Sequence, residues 1–184
     1  MKFKILIFAH KRAKMIYKKD IKVYPPYFEN YLSLIKEEDL LDAMKNRVGT
    51  LLGFYGEIPA EKWDYAYAEG KWTIKEMVQH ILDSELVFLY RIMSIIRGEK
   101  QELLGFDENE YAQNMELAHI TPEAMLNSLT LQVMYTYNFV KQITAEDWQK
   151  EGIANNNKVQ AGAIAFAIIG HDYHHRNKIK ELYL

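Results

Sequence analysis

His171 and His175 stand one helical turn apart in the run Gly170-His171-Asp172-Tyr173-His174-His175, close to the C-terminal end of the chain. If residues 158–183 form a helix, each residue turns about 100°, so these two imidazoles fall about 40° apart. They share a stripe with Ile164, Ile168, Ile179 and Leu182. Unpaired buried polar groups are costly, so imidazoles on a core-facing stripe need a partner for their ring nitrogens. A metal ion would serve both at once; two core histidines, each donating to a carbonyl or carboxylate, are the competing reading. His80, in the other strongly apolar helical segment, could complete a three-histidine site.

The i, i+4 spacing is that of helix-borne metal ligands such as the H-E-x-x-H zinc motif. Here no glutamate follows His171, and Asp172 lies about 100° around the wheel, so protease chemistry is not indicated. His174 lies about 60° from His171 on the other side and reads as an edge residue beside the site. His80 shares its sector with Met77, Ser84 and Arg91. Glu76 and Asp83 flank it at i−4 and i+3, where either could orient an imidazole, accept a proton, or simply be solvated. His10 and His119 receive no role. Tyr24, Tyr27 and Tyr31 could line a pocket mouth or stack in the core. The chain has no Gly-rich phosphate cradle, Ser-His-Asp set or basic-aromatic stripe.

The elements that must position these residues read as helix after helix. Tyr24-Pro25-Pro26-Tyr27 introduces a helix from about Phe28 or Leu40 to Phe54, closed by Gly56 and Pro59. Thr73-Ile74-Lys75-Glu76 is a capping-box pattern that opens a second long helix, stopped at Gly98. Residues 98–120 form a long polar connection with a short helix expected near Glu110. Thr121-Pro122-Glu123 starts a third helix, running to about Ile143. Thr144-Ala145-Glu146-Asp147 suggests one more turn. Asn155-Asn156-Asn157 is a turn before a final helix expected from Lys158, and no strand-like alternation competes. Four long helices with one longer middle crossover imply an all-α four-helix bundle.

With 184 residues, 49% of them hydrophobic and 26% charged, the chain reads as one ordinary globular domain. A net charge of −2 gives no reason to expect nucleic acid as a partner. The charge is uneven: residues 1–22 hold eight Lys or Arg and one acid, leaving a net of −9 for residues 23–184. The expectation is therefore a basic extension at 1–22 ahead of a domain at 23–184. The apolar stretch Ile5–Ala9 is shorter than a signal-peptide core, so residues 1–14 read as a basic tail, or as an extension ahead of a start at Met15. No apolar run approaches the roughly 20 residues of a membrane span. The absence of cysteine excludes disulfides, thiolate ligands and a cysteine nucleophile, and fits a cytoplasmic location.

The chain resembles the DinB superfamily of bacterial four-helix-bundle metalloproteins over about residues 24–184. The resemblance rests on Tyr24-Pro25-Pro26-Tyr27 with Tyr31, and on Gly70-Lys71-Trp72-Thr73-Ile74-Lys75-Glu76 leading into His80-Ile81-Leu82-Asp83-Ser84-Glu85. Gly105-Phe106-Asp107, the Gly170–His175 run, Ile179 and Tyr183-Leu184 add to it. It implies an up-down-down-up bundle with a long crossover between helices 2 and 3, often as a homodimer. It further implies a divalent metal held by His80, His171 and His175. Where the family often has a basic residue after the glutamate of the second helix, this chain has Leu86, with Arg91 following.

Relatives in that superfamily include S-transferases and isomerases that use bacillithiol, mycothiol or glutathione-like thiols. The leading expectation is accordingly a metal-dependent S-transferase acting on a small electrophile, with zinc or nickel and a low-molecular-weight thiol as cosubstrate. Arg91 could hold the carboxylates of that thiol. A metal-dependent hydrolase, or a non-catalytic bundle whose ion only staples two helices, remains as the alternative.

Overall fold

The computed structural model describes residues 16–184. Four long helices dominate it: α2 (Leu40–Gly56), α3 (Ile74–Ile96), α5 (Pro122–Val140) and α7 (Ala161–Leu182). Short helices α1 (Glu29–Leu32), α4 (Glu108–Gln113) and α6 (Ala145–Trp148) and a hairpin of β1 (Glu151–Ala154) and β2 (Asn157–Gln160) fill the connections.

Local chemistry sets the helix starts. The Asp39 side chain accepts from Leu41 N–H and Asp42 N–H at the head of α2. At α3 the expected capping box forms: Thr73 Oγ1 accepts from Glu76 N–H (3.1 Å), and Glu76 Oε2 accepts from Thr73 N–H (2.7 Å). Thr121 caps α5 with Pro122 following it, as anticipated. Gly98, at φ +85°, ends the turn after α3 in the left-handed region that glycine tolerates.

Two apolar clusters lie at opposite ends of the bundle, and the order in which each helix meets them gives its direction. From N to C, α2 runs from the cluster of Met44, Phe88 and Ile168 to that of Leu51, Ile81 and Ile179. Helices α3 and α5 run the other way, and α7 runs with α2. The bundle is therefore up-down-down-up, and the long crossover between α3 and α5 carries the chain back to the end at which α3 began. Helix α3 packs chiefly on α7 and α2 chiefly on α5, with α3·α5 and α2·α7 completing the square.

Two expectations need correction. The final helix begins at Ala161 rather than Lys158, because residues 151–160 form an antiparallel hairpin that had no alternation to announce it. Its turn is built on Asn155 (φ 50°) and Asn156 (φ 60°), the left-handed pair that a two-residue hairpin turn demands and asparagine tolerates. The hairpin docks on the crossover through Leu103 N–H to Ile153 O and Asn155 N–H to Leu103 O, both 2.9 Å. Helix α5 also ends at Val140, short of Ile143.

Of the basic segment, residues 1–15 lie outside the described residues, and with them the signal-like stretch, His10 and Met15. Residues 16–22 rest on the bundle: Ile16 and Ile21 are buried, and Lys18 Nζ donates to Ile35 O at 2.7 Å. A chain starting at Met15 keeps all of those contacts, which begin at Ile16, and is expected to melt within about 2 °C of the full chain. A larger drop would show that residues 1–14 pack on the body.

Candidate metal centre

Between the two apolar clusters, each long helix places polar side chains in the core. His80 on α3 and His171 and His175 on α7 are all buried, and their ligand atoms lie within 4.8 Å of one another. His171 Nε2 is 3.0 Å from His80 Nε2 and 3.0 Å from His175 Nε2. Thus the three histidines singled out from the sequence come together.

A neutral imidazole has one N–H and one lone pair, so His171 Nε2 can satisfy only one of its two neighbours by hydrogen bonding. A cation accepts all three lone pairs at once. Tetrahedral zinc with bonds of about 2.0–2.1 Å holds its nitrogens about 3.3 Å apart, close to this spacing. An all-nitrogen donor set equally suits Ni, Cu or Fe. Burial prepares the imidazoles by keeping them neutral. It pushes His80 down to about 4 and holds His171 and His175 well below the ordinary histidine range, with the neighbouring histidines adding to the effect.

Neither flanking carboxylate reaches the histidines. Glu76 is committed to the capping box, and Asp83 accepts from Gln79 Nε2 at 2.8 Å. The polar group next to His80 is instead Ser84, whose Oγ lies 3.5 Å from His80 Nδ1. His174 stays at the edge, half-buried, with its ring 5.8 Å from that of Tyr31. His119 lies apart, in the crossover. The centre opens on a cavity of about 350 Å³, whose walls include Tyr31, Trp72, Phe88, Arg91 and Lys178. Trp72 leans on His80 with ring centroids 4.9 Å apart, and Phe88 meets His171 edge-on at 5.9 Å.

Gly170 explains how the wall is built. A Cβ there would collide with the Tyr31 carbonyl oxygen and sit 2.7 Å from Tyr31 Cβ, so glycine lets α1 lie directly on α7 beside His171. Gly170→Ala is expected to lower stability by about 1–3 kcal/mol through this overpacking. Thermal melting reads the effect directly, and an unchanged melting temperature would mean that α1 moves away freely.

One layer deeper is a buried ionic cluster that the sequence reading missed. Arg47 on α2 donates to Glu85 on α3 through both terminal nitrogens (3.1 and 2.5 Å) and through Nε to Asp172 on α7 (3.3 Å). Thr136 on α5 donates to Glu85, Tyr55 donates to Asp172 (3.3 Å), and Arg176 pairs with Asp172. Two acids and two arginines thus cancel inside the bundle and tie all four helices together. Asp172 faces this cluster while its neighbour His171 faces the metal centre. A signal was available: Arg47 sits on the apolar stripe between Met44 and Leu51.

The pattern of the DinB superfamily matches residues 43–179, well over half of the chain. The chain belongs to the DinB superfamily. A protein of Oceanobacillus iheyensis named "Putative metal-dependent hydrolase OB0413" is 22% identical over 143 residues, covering 76% of this chain and 79% of that protein. A second from the same organism, OB0782, with the same descriptive name, is 30% identical over 76 residues, covering 41% and 40%. Among solved structures, YfiT from Bacillus subtilis superposes with a TM-score of 0.65 at 15% identity over 88% of both chains. It is described as "a probable metal-dependent hydrolase with an unusual four-helix bundle topology". At that identity the likeness speaks for the four-helix-bundle fold alone. No helix among the described residues is long and apolar enough to cross a membrane.

Proposed function

We propose that this DinB-superfamily chain is a metal-dependent enzyme acting on a small molecule, with a divalent ion held by His80, His171 and His175. The observation that carries this reading is the convergence of three buried Nε2 atoms at the wall of a cavity, with no fourth histidine or carboxylate beside them among the described residues. An ion that merely stapled α3 to α7 would be closed by a side chain such as Glu76 or Asp83, and both are engaged elsewhere. Three protein ligands and an open position are the pattern of catalytic sites. The names of the curated relatives point the same way.

When bound, such an ion supplies a positive charge that lowers the pKa of a thiol or water beside it. The chain contributes the rest. Burial keeps the three imidazoles neutral, Trp72 and Phe88 shield them from bulk water, and Arg91 and Lys178 place positive charge on the cavity wall. The finer reading is an S-transferase, with zinc or nickel and a low-molecular-weight thiol attacking a small electrophile. It draws support from a cation-bearing cavity suited to a carboxylate-rich thiol and from a chain without cysteine, which must take its sulfur from outside. Hydrolysis is the second reading, favoured by the relatives' names.

Cobalt-substituted protein separates them. Titration with bacillithiol or glutathione is expected to raise a sulfur-to-metal charge-transfer band that His80→Ala loses. If thiols leave the spectrum unchanged while water-competitive anions alter it, hydrolysis is the better reading. If neither alters it, the ion is structural.

A further inference from the structure

Four cationic side chains are more than nine-tenths buried among the described residues: Arg47, Lys75, Arg91 and Arg176. Three have carboxylate partners: Arg47 pairs with Glu85 and Asp172, Lys75 with Asp64 at 2.6 Å, and Arg176 with Asp172. Arg91 has none among the described residues. Its Nη2 donates to Leu104 O at 2.9 Å, and its Nε is buried without a partner. Leaving a buried charge uncompensated is costly. The other three cations show how this protein neutralises such a charge when the role is structural. Arg91 differs in a second respect, for it lines the same cavity as the three histidines.

Resting on the metal-centre reading above, we propose that Arg91 is the oxyanion-binding residue of this cavity, which takes an extended small molecule bearing a carboxylate or phosphate at the end remote from the histidines. The eleven residues from His80 to Arg91 correspond to about 16 Å of helix rise. Phe88, whose ring lies 5.9 Å from that of His171, precedes Arg91 by just under one helical turn, and Arg91 lines the same cavity, which places the guanidinium roughly 10 Å from His171. A chain of about six carbons with a charged head spans that gap. The guanidinium suits this task because its planar fork donates two parallel hydrogen bonds to an oxyanion. Glu108, the acid on the cavity wall, is solvent-exposed and makes no ion pair with Arg91 among the described residues, which leaves the arginine's fork available to an oxyanion.

The test is calorimetric titration of the full chain, loaded with cobalt, with hexanoate, hexyl phosphate and uncharged hexanamide. At least one anion is expected to bind ten-fold or more tightly than hexanamide, and the stronger of the two identifies the headgroup. Arg91→Gln should lose that preference, and Arg91→Lys should keep part of it, so a glutamine variant that fails to fold leaves the lysine variant to decide. Equal binding of the anions by wild type and Arg91→Gln, or a cobalt spectrum showing the anion on the metal, overturns the proposal. So does the absence of any preference over hexanamide. If the chain takes up no cobalt, the metal-centre reading fails by itself, and the same titrations on the metal-free chain still judge Arg91.

Discussion

Replacing His171 by alanine is expected to leave the purified, untagged protein with less than a tenth of the metal held by the wild type. His171 is the middle ligand, 3.0 Å from each of the other two Nε2 atoms, so its removal leaves His80 and His175 without the nitrogen that links them. His174→Ala, at the edge of the site, is expected to keep most of the metal. Full occupancy in His171→Ala would overturn the ligand set, and strong loss in His174→Ala would show that the wrong histidine had been paired with His171. Acid should mimic the mutation, because protons compete for the same lone pairs. The metal-free chain carries the same sign. An unfolded histidine titrates near 6.5, whereas burial holds His80 at about 4 in the fold. The unfolded state therefore binds more protons below 6.5, so this contribution to stability is full above that pH and falls as the pH drops toward 4.

Arg47→Leu is expected to be the most destabilising single change in the ionic cluster, by about 3–5 kcal/mol, because it leaves Glu85 charged and buried without its bidentate partner. At roughly 2–4 °C per kcal/mol for a chain of this size, the melting temperature should fall by about 10 °C. The double variant Arg47→Leu, Glu85→Leu removes both charges and leaves the Arg176–Asp172 pair in place. It should therefore recover a large part of the loss. A double variant no more stable than the single would mean that Arg47 acts through packing rather than charge.

The same residues show which parts of this DinB chain are encoded locally. The Thr73–Glu76 capping box, the Thr121-Pro122 start and the turn at Gly98 each depend on side chains within a few positions. The starts of α3 and α5 and the end of α3 were therefore legible. The His171–His175 pair was legible for the same reason, since helical period alone puts both on one face. The hairpin was not. Its strands are four residues each without alternation, and they hold through pairing with one another and with Leu103, some fifty residues away. Arg91 was legible as a candidate for holding carboxylates because it shares the sector of His80, whereas Arg47 was passed over although it lies on the apolar stripe of α2. Only packing fixed whether each would find a carboxylate, as Arg47 does in Glu85 and Asp172, or face a cavity without one, as Arg91 does. The amino-acid sequence by itself thus determined the four helices and the histidine pair, through interactions that reach no further than one turn. The tertiary structure decided that His80 meets that pair, that the open side faces a cavity, and which buried charges are cancelled. Those outcomes depend on side chains brought together across dozens of residues, which no local period records.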